Sequence, residues 1–212
     1  KTQASNFPST CVSILNTAVT CDVSLKWARG QRYEYDNTLS TMCTTTCASN
    51  LSGWLRRVAG GCTQRFTTSK GDAILPAFWV EKVLERFNLL CLKDASGSKF
   101  CNAVLRDEIG INPVDQKQTK SAISTVTCDD CFLKRIQTQL QMSLLSDPYM
   151  ATTFTSLTKQ CSKTGFAVTP PATTTPWIAS GTPPSSASTP TACQGSKYTI
   201  KSGDTCQSIS LA

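Results

Sequence analysis

Twelve cysteines are spread through 212 residues, and no histidine accompanies them. These two counts constrain the fold more than any other feature. The cysteines are Cys11, Cys21, Cys43, Cys47, Cys62, Cys91, Cys101, Cys128, Cys131, Cys161, Cys193 and Cys206. Thiols at this density belong on the oxidising side of a membrane, where they pair. A zinc site competes poorly, because imidazole ligands are absent and only Cys43/Cys47 and Cys128/Cys131 lie close together. All twelve are therefore disulfide candidates, and no metal or other cofactor is called for. Spacing does not fix connectivity. Cys43 and Cys47 stand one helical turn apart on one face, so each is expected to pair with another element. Cys128 and Cys131 have redox spacing, but the thioredoxin-like βαβ context that such chemistry needs is missing, so a structural role is favoured.

The rest of the composition narrows the class. No run of about 18 apolar residues exists, so no transmembrane helix is expected. The polar start Lys1-Thr2-Gln3-Ala4-Ser5-Asn6 lacks an apolar leader core and reads as a mature or processed N-terminus. Asn50-Leu51-Ser52 is an N-glycosylation sequon, in keeping with secretion. The net charge of +7 comes from 21 basic and 14 acidic residues, and the basic ones are scattered. No stripe of Lys and Arg interleaved with aromatics suggests nucleic acid as a partner. A basic secreted protein could still adhere to acidic wall polymers.

Three zones separate by composition. Residues 1–163 carry ten of the cysteines and nearly all the charge. Residues 164–192 form a Ser/Thr/Pro-rich linker, including Pro170-Pro171 and Thr182-Pro183-Pro184. Such a stretch buries too little apolar surface to offset its ordering entropy, so a disordered, extended and O-glycosylated linker is expected. Residues 193–212 open a new module.

The first zone reads as a set of short helices, making the chain mainly α. Asp36-Asn37 caps a helix bearing Leu39, Met42, Cys43 and Cys47. After Ser49 or Asn50 a second helix carries Leu51, Trp54, Leu55 and Val58 and stops at Gly60-Gly61. Pro76 occupies a first helical turn ahead of Phe78–Phe87. Lys93–Ser98 is a turn between two short extended pieces at Leu90–Leu92 and Phe100-Cys101. Thr127 or Cys128, with Asp129 and Asp130 in the first turn, opens a helix through Phe132, Leu133, Ile136, Leu140 and Leu144. Ser146-Asp147-Pro148 breaks it, and a last helix carries Tyr149, Met150, Phe154, Leu157 and Cys161. Helices this short are marginal alone, so disulfide staples are expected to hold them.

Catalytic chemistry finds little footing. Without histidine, Ser-His-Asp and Cys-His arrangements are excluded. Oxidised cysteines supply no thiolate. A carboxylate pair drawn from Glu34, Asp36, Glu81, Glu85, Asp107 and Glu108 could cleave a glycosidic bond. Glu81 and Glu85, at i and i+4 beside Lys82 and Arg86, read instead as a solvent face, and nothing singles out an acid with a raised pKa. Trp27 lies near Arg29, Arg32, Tyr33 and Tyr35 and could stack on a sugar ring, although packing is the plainer role. Trp54 and Trp79 sit on apolar helix faces and read as core. Trp177, in the linker, has no periodic partner and reads as a glycosylation site or an adhesive point.

The C-terminal stretch carries the functional signal. Tyr198-Thr199-Ile200 alternates as a strand, Lys201-Ser202-Gly203-Asp204 supplies a turn, and Asp204 or Thr205 caps a helix with Cys206 and Ile209 on one face. The run Tyr-Thr-Ile-Lys-Ser-Gly-Asp-Thr-Cys-Gln-Ser-Ile resembles the opening of a fungal LysM domain, a βααβ module that binds chitin and related N-acetylglucosamine polymers. The resemblance covers residues 198–212, the β-turn-α start of a truncated module. It implies that Gly203, Asp204 and Thr205 form one wall of the sugar groove, where backbone amides and short polar side chains reach the acetamido group. It also implies that Cys193 and Cys206 enter disulfides that staple the module.

The first zone is similar to the cysteine-rich helical region that precedes LysM repeats in some secreted fungal proteins. The residues that carry this likeness are Leu39, Cys43, Cys47, Leu51 and Trp54, then Leu90-Cys91-Leu92-Lys93-Asp94, then Cys128-Asp129-Asp130-Cys131-Phe132-Leu133-Lys134. The expected protein is therefore a secreted, non-catalytic binder of chitin or N-acetylglucosamine-containing polymers, acting at its own wall or at a host interface. The rival readings are a secreted glycan-active enzyme with LysM as its targeting arm, and a cell-wall structural protein whose helical domain binds protein.

Overall fold

The computed structural model describes residues 7–27, 32–68, 71–120, 126–168 and 177–179, with the side chains of Trp27, Pro148 and Ala179 outside that description. The chain divides into a compact unit, Lys1–Ser180, and a second unit, Gly181–Ala212. All of the second unit lies outside the described residues. The first is helical, as composition and periodicity predict.

Helix α1 (Ser9–Leu15) is followed by a 3-10 turn at Val23–Trp27. Asp22 opens that turn, its Oδ1 accepting the Ser24 amide at 2.8 Å. Helix α2 (Asp36–Met42) then ends where the sequence pattern predicts continuation. The reason is Thr44, which leaves helical geometry and turns its hydroxyl oxygen to accept the Cys47 amide at 3.1 Å. An N-cap outcompetes helix propagation there. Helix α3 (Thr45–Gly61) runs from this cap straight through the break expected at Ser49 or Asn50.

Helix α4 (Ala77–Leu90) starts directly after Pro76, as predicted. The Lys93–Ser98 turn also forms. Asp94 Oδ1 accepts the amides of Ser98 and Lys99 at 3.0 and 3.1 Å, and Gly97 takes φ +74°. The piece after it is not extended, however. Helix α5 (Cys101–Ile109) begins at once and closes on Gly110 in the left-handed region, φ +69°. A Cβ at Gly110 would come within 2.6 Å of Thr119 Oγ1, so the closure needs glycine. Helix α6 (Asp130–Leu140) is capped not by Thr127 or Cys128 but by Asp129, whose carboxylate Oδ1 accepts the amides of Cys131 and Phe132. Helix α7 (Pro148–Gln160) is capped in the same way by Asp147.

A three-stranded antiparallel sheet accompanies the helices: β1 (Phe66–Thr67), β2 (Ala73–Ile74) and β3 (Ile178–Ala179), in that order. Its third strand comes from the stretch read as linker. Ile178 pairs with Ile74 and Ala179 with Ala73, and the Leu75 amide donates to Trp177 O at 2.8 Å. Composition alone misses this, because one tryptophan and one hydrogen-bonded edge suffice to hold three residues of an otherwise polar run.

The core is a relay of four small clusters. Cys11, Val58, Cys62, Ala77 and Val80 join α1, α3 and α4. Leu39, Met42, Leu51, Phe87 and Leu90 join α2, α3 and α4. Leu105, Val126 and Cys131 join α5 to α6, and Leu133, Leu140 and Phe154 join α6 to α7. Five disulfides tie these together: Cys11–Cys62, Cys21–Cys47, Cys43–Cys91, Cys101–Cys131 and Cys128–Cys161. Cys43 and Cys47 take different partners, as the sequence predicts, and Cys128 and Cys131 also take different partners.

Candidate functional site

Gly203, Asp204 and Thr205, together with Cys193 and Cys206, lie outside the described residues. Asn50 lies within α3, half-buried, with Nδ2 donating to Thr20 O at 3.3 Å.

The acids singled out from sequence are drawn into two polar knots. In the first, Arg106 on α5 is buried. It donates to Asp107 Oδ1 at 2.8 Å, to Asp36 Oδ2 at 3.0 Å and to Glu34 O at 2.8 Å. These contacts hold the guanidinium in its charged form, with Asp107 the largest influence. Beside it, Asn102 accepts the Glu34 amide and donates to Arg32 O, and Arg32 pairs with Glu34 at 2.9 Å. Each polar group here answers another, so the knot fixes residues 32–36 onto α5. Glu108, one residue on, has its carboxyl pushed up by burial and then by Asp129.

The second knot corrects the sequence reading. Glu85 is 5 % exposed, not on a solvent face. Its Oε1 accepts the Leu144 amide at 3.0 Å and lies 3.1 Å from Ser143 Oγ, which is 2.9 Å from Glu81 Oε1. The Trp177 indole N–H donates to the other Glu81 oxygen. Burial, and then the charge of Glu81, push the Glu85 carboxyl above its ordinary pKa. Ser143 has a single hydroxyl proton for two carboxyl contacts, and the other Glu85 oxygen, Oε2, is buried with no hydrogen-bond partner among the described residues. Alternation cannot reveal this arrangement, since Ser143 and Trp177 lie 58 and 96 residues from their partners.

The aromatic residues divide as well. Trp54 is half-buried and donates to Ile14 O at 3.2 Å. Trp79 is not core: it is 39 % exposed and stacks on Phe66 with ring centres 4.4 Å apart. Arg29 and the side chain of Trp27 lie outside the described residues.

A cleft of ≈ 460 Å³ opens between α3, α4 and the segment after α1. Leu51, Trp54 and Val83 floor it, and Val19 and Leu25 wall it. Asp22 and Arg86 also line it. No metal-binding cluster of His, Cys, Asp or Glu occurs among the described residues, and no helix there is long and apolar enough to cross a membrane.

Residues 1–107 match the family described as the secreted LysM effector N-terminal domain. The chain belongs to the secreted LysM effector family. This LysM effector chain is 28 % identical over 218 residues to the secreted LysM effector Vd5LysM of Verticillium dahliae, covering 98 % of this chain and 30 % of that protein. It is 26 % identical over 203 residues to a LysM domain-containing protein of Arthroderma benhamiae, covering 76 % and 35 %. A third relative, secreted LysM effector LysM10 of Penicillium expansum, is 29 % identical over 186 residues, covering 83 % and 60 %. The chain thus spans about a third of the length of the first two relatives. No solved structure matches it. The family and the five disulfides agree on a secreted, extracellular protein.

Proposed function

We propose that this LysM effector is a non-catalytic carbohydrate-binding protein that engages chitin or related N-acetylglucosamine polymers through its LysM segment. In this reading Gly203, Asp204 and Thr205 form one wall of the groove and present short polar groups to the acetamido substituent. The carrying observation is the run Tyr198–Ile209, with its Gly-Asp-Thr turn, in a chain whose first 107 residues match the LysM effector N-terminal family.

The disulfide-stapled unit serves as the carrier of that segment. Its acids support this role. Asp36, Asp107 and Glu34 are tied to arginines, and Glu81 and Glu85 are packed against Ser143 and Trp177. Asp36 and Asp107, which line a cleft together with Glu108, are held there by Arg106. Where several LysM segments follow one another, avidity rises without new contacts.

The test is depletion from solution by insoluble chitin. A chain extended through a complete LysM module is expected to be retained. Replacing Asp204 and Thr205 with alanine in that chain is expected to weaken retention. Release of new reducing ends from chitin oligomers would instead support the enzyme reading.

A further inference from the structure

The cleft beside α3 and α4 has features that the polysaccharide reading does not use. Its floor and walls are apolar and its volume, ≈ 460 Å³, suits a small organic ligand rather than a polymer chain. The wall is fixed before any ligand arrives. Cys21 is bonded to Cys47 on α3, and Asn50 Nδ2 holds Thr20 O. Trp54 is fixed by its bond to Ile14 O. A preformed cleft costs little ordering on binding.

One group in it lacks a complement. Arg86, on α4, is half-buried and lines the cleft, yet no carboxylate or carbonyl among the described residues pairs with it. A half-buried guanidinium without an acceptor is a ready receptor for an anion, and its planar fork suits a carboxylate. Asp22 limits what that anion can be. It lines the same cleft, and hydrogen bonding to Ser24 holds its carboxyl below the ordinary value, so it stays negative. Lys26 lines the cleft as well, so with Arg86 and Asp22 the lining carries a net single positive charge, which favours a head group of single charge over a phosphate dianion.

We propose that this cleft binds an aliphatic monocarboxylate, with its chain against Leu51, Val83 and Leu25 and its carboxylate on Arg86. The ligand class is a medium-chain fatty acid, of about ten carbons for a cleft of this size. Binding here is independent of the LysM segment.

The experiment titrates the whole 212-residue chain with decanoate, decanol and butyrate, read by calorimetry and by intrinsic tryptophan fluorescence. Decanoate is expected to bind saturably at one site, with decanol and butyrate each at least about tenfold weaker, because one lacks the charge and the other the apolar chain. Arg86→Gln is expected to lose about tenfold or more in decanoate affinity, while Arg86→Lys, which keeps the charge but not the fork, loses less. Arg57→Gln, an exposed control on α3, is expected to bind as the parent does. Far-UV circular dichroism confirms that each variant is folded. Equal affinity for decanol and decanoate, an Arg86→Gln variant that binds normally, or no saturable binding of decanoate would each overturn the proposal.

Discussion

Replacing Trp177 with alanine should release the β3 segment from the helical unit. The segment is held by few contacts, and their sizes can be set against its entropy. Fixing three backbone residues costs about 3–6 kcal/mol. Opposing that, the Leu75 amide and one Arg65 guanidinium N–H both donate to Trp177 O, at 2.8 and 3.1 Å. These two bonds contribute roughly 1–3 kcal/mol together. The Trp177 side chain supplies the rest. Its ring packs against the Cys11, Val58, Cys62, Ala77 and Val80 cluster, and its N–H meets a carboxylate. A half-buried indole contributes about 2–3 kcal/mol of apolar burial, and the bond to Glu81 about 1 kcal/mol after allowance for its partial exposure. The alanine variant is therefore expected to lose about 3–4 kcal/mol of local stability. The assay is native-state hydrogen exchange at the Leu75 amide, whose acceptor is Trp177 O. Because the loss exceeds the small net stability of the docked segment, its protection should fall to that of an exposed amide, while amides in α3 and α4 keep theirs. Trp177→Phe, which keeps most of the apolar contact but not the indole N–H, should fall by about tenfold at most. Unchanged Leu75 protection in the alanine variant would refute the reasoning.

Two further outcomes follow from the buried groups. Burial raises the Glu85 carboxyl, so the folded state holds its proton more tightly than the unfolded chain. The resulting stability is complete below the unfolded carboxyl pKa and is lost as pH rises through the raised folded value. Between those two values the loss runs at about 1.4 kcal/mol for each step of one in pH. Urea midpoints between pH 4 and 8 should show that decline, and Glu85→Gln should flatten it; an unchanged profile would contradict the assignment. The Cys43–Cys91 bond spans 48 residues, so replacing both cysteines with serine should cost about 4 kcal/mol on the chain-entropy relation. A loss below about 1 kcal/mol in urea unfolding would show that the staple does not restrain the unfolded chain as supposed.

The helix starts were legible because their signals are local. Asp129, Asp147 and Pro76 sit within a few residues of the groups they act on, and each stands at the start of a helix. The helix break at Thr44 was not, since Thr44 is one threonine in a run of three and only geometry shows that its hydroxyl reaches Cys47. The pairing of the cysteines and the environment of Glu85 were hidden for another reason. Both depend on partners tens of residues distant, and periodicity carries no information at that range. The linker composition concealed the short strand at Ile178–Ala179. Arg86 gave no sign in the sequence beyond a charge on a helix, because the cleft it lines is built by residues from three segments. The groove wall proposed for Gly203, Asp204 and Thr205 is the opposite case, since it rests on a signal wholly local in sequence.

The division of labour between the two parts of the chain is most directly tested by chitin sedimentation. Two proteins are compared at equal concentration: residues 1–180, the compact unit, and the chain extended through a complete LysM module. The extended protein is predicted to leave the supernatant with the chitin, while residues 1–180 stay in solution. Retention of residues 1–180 on chitin, or failure of the extended protein to sediment, would contradict the account.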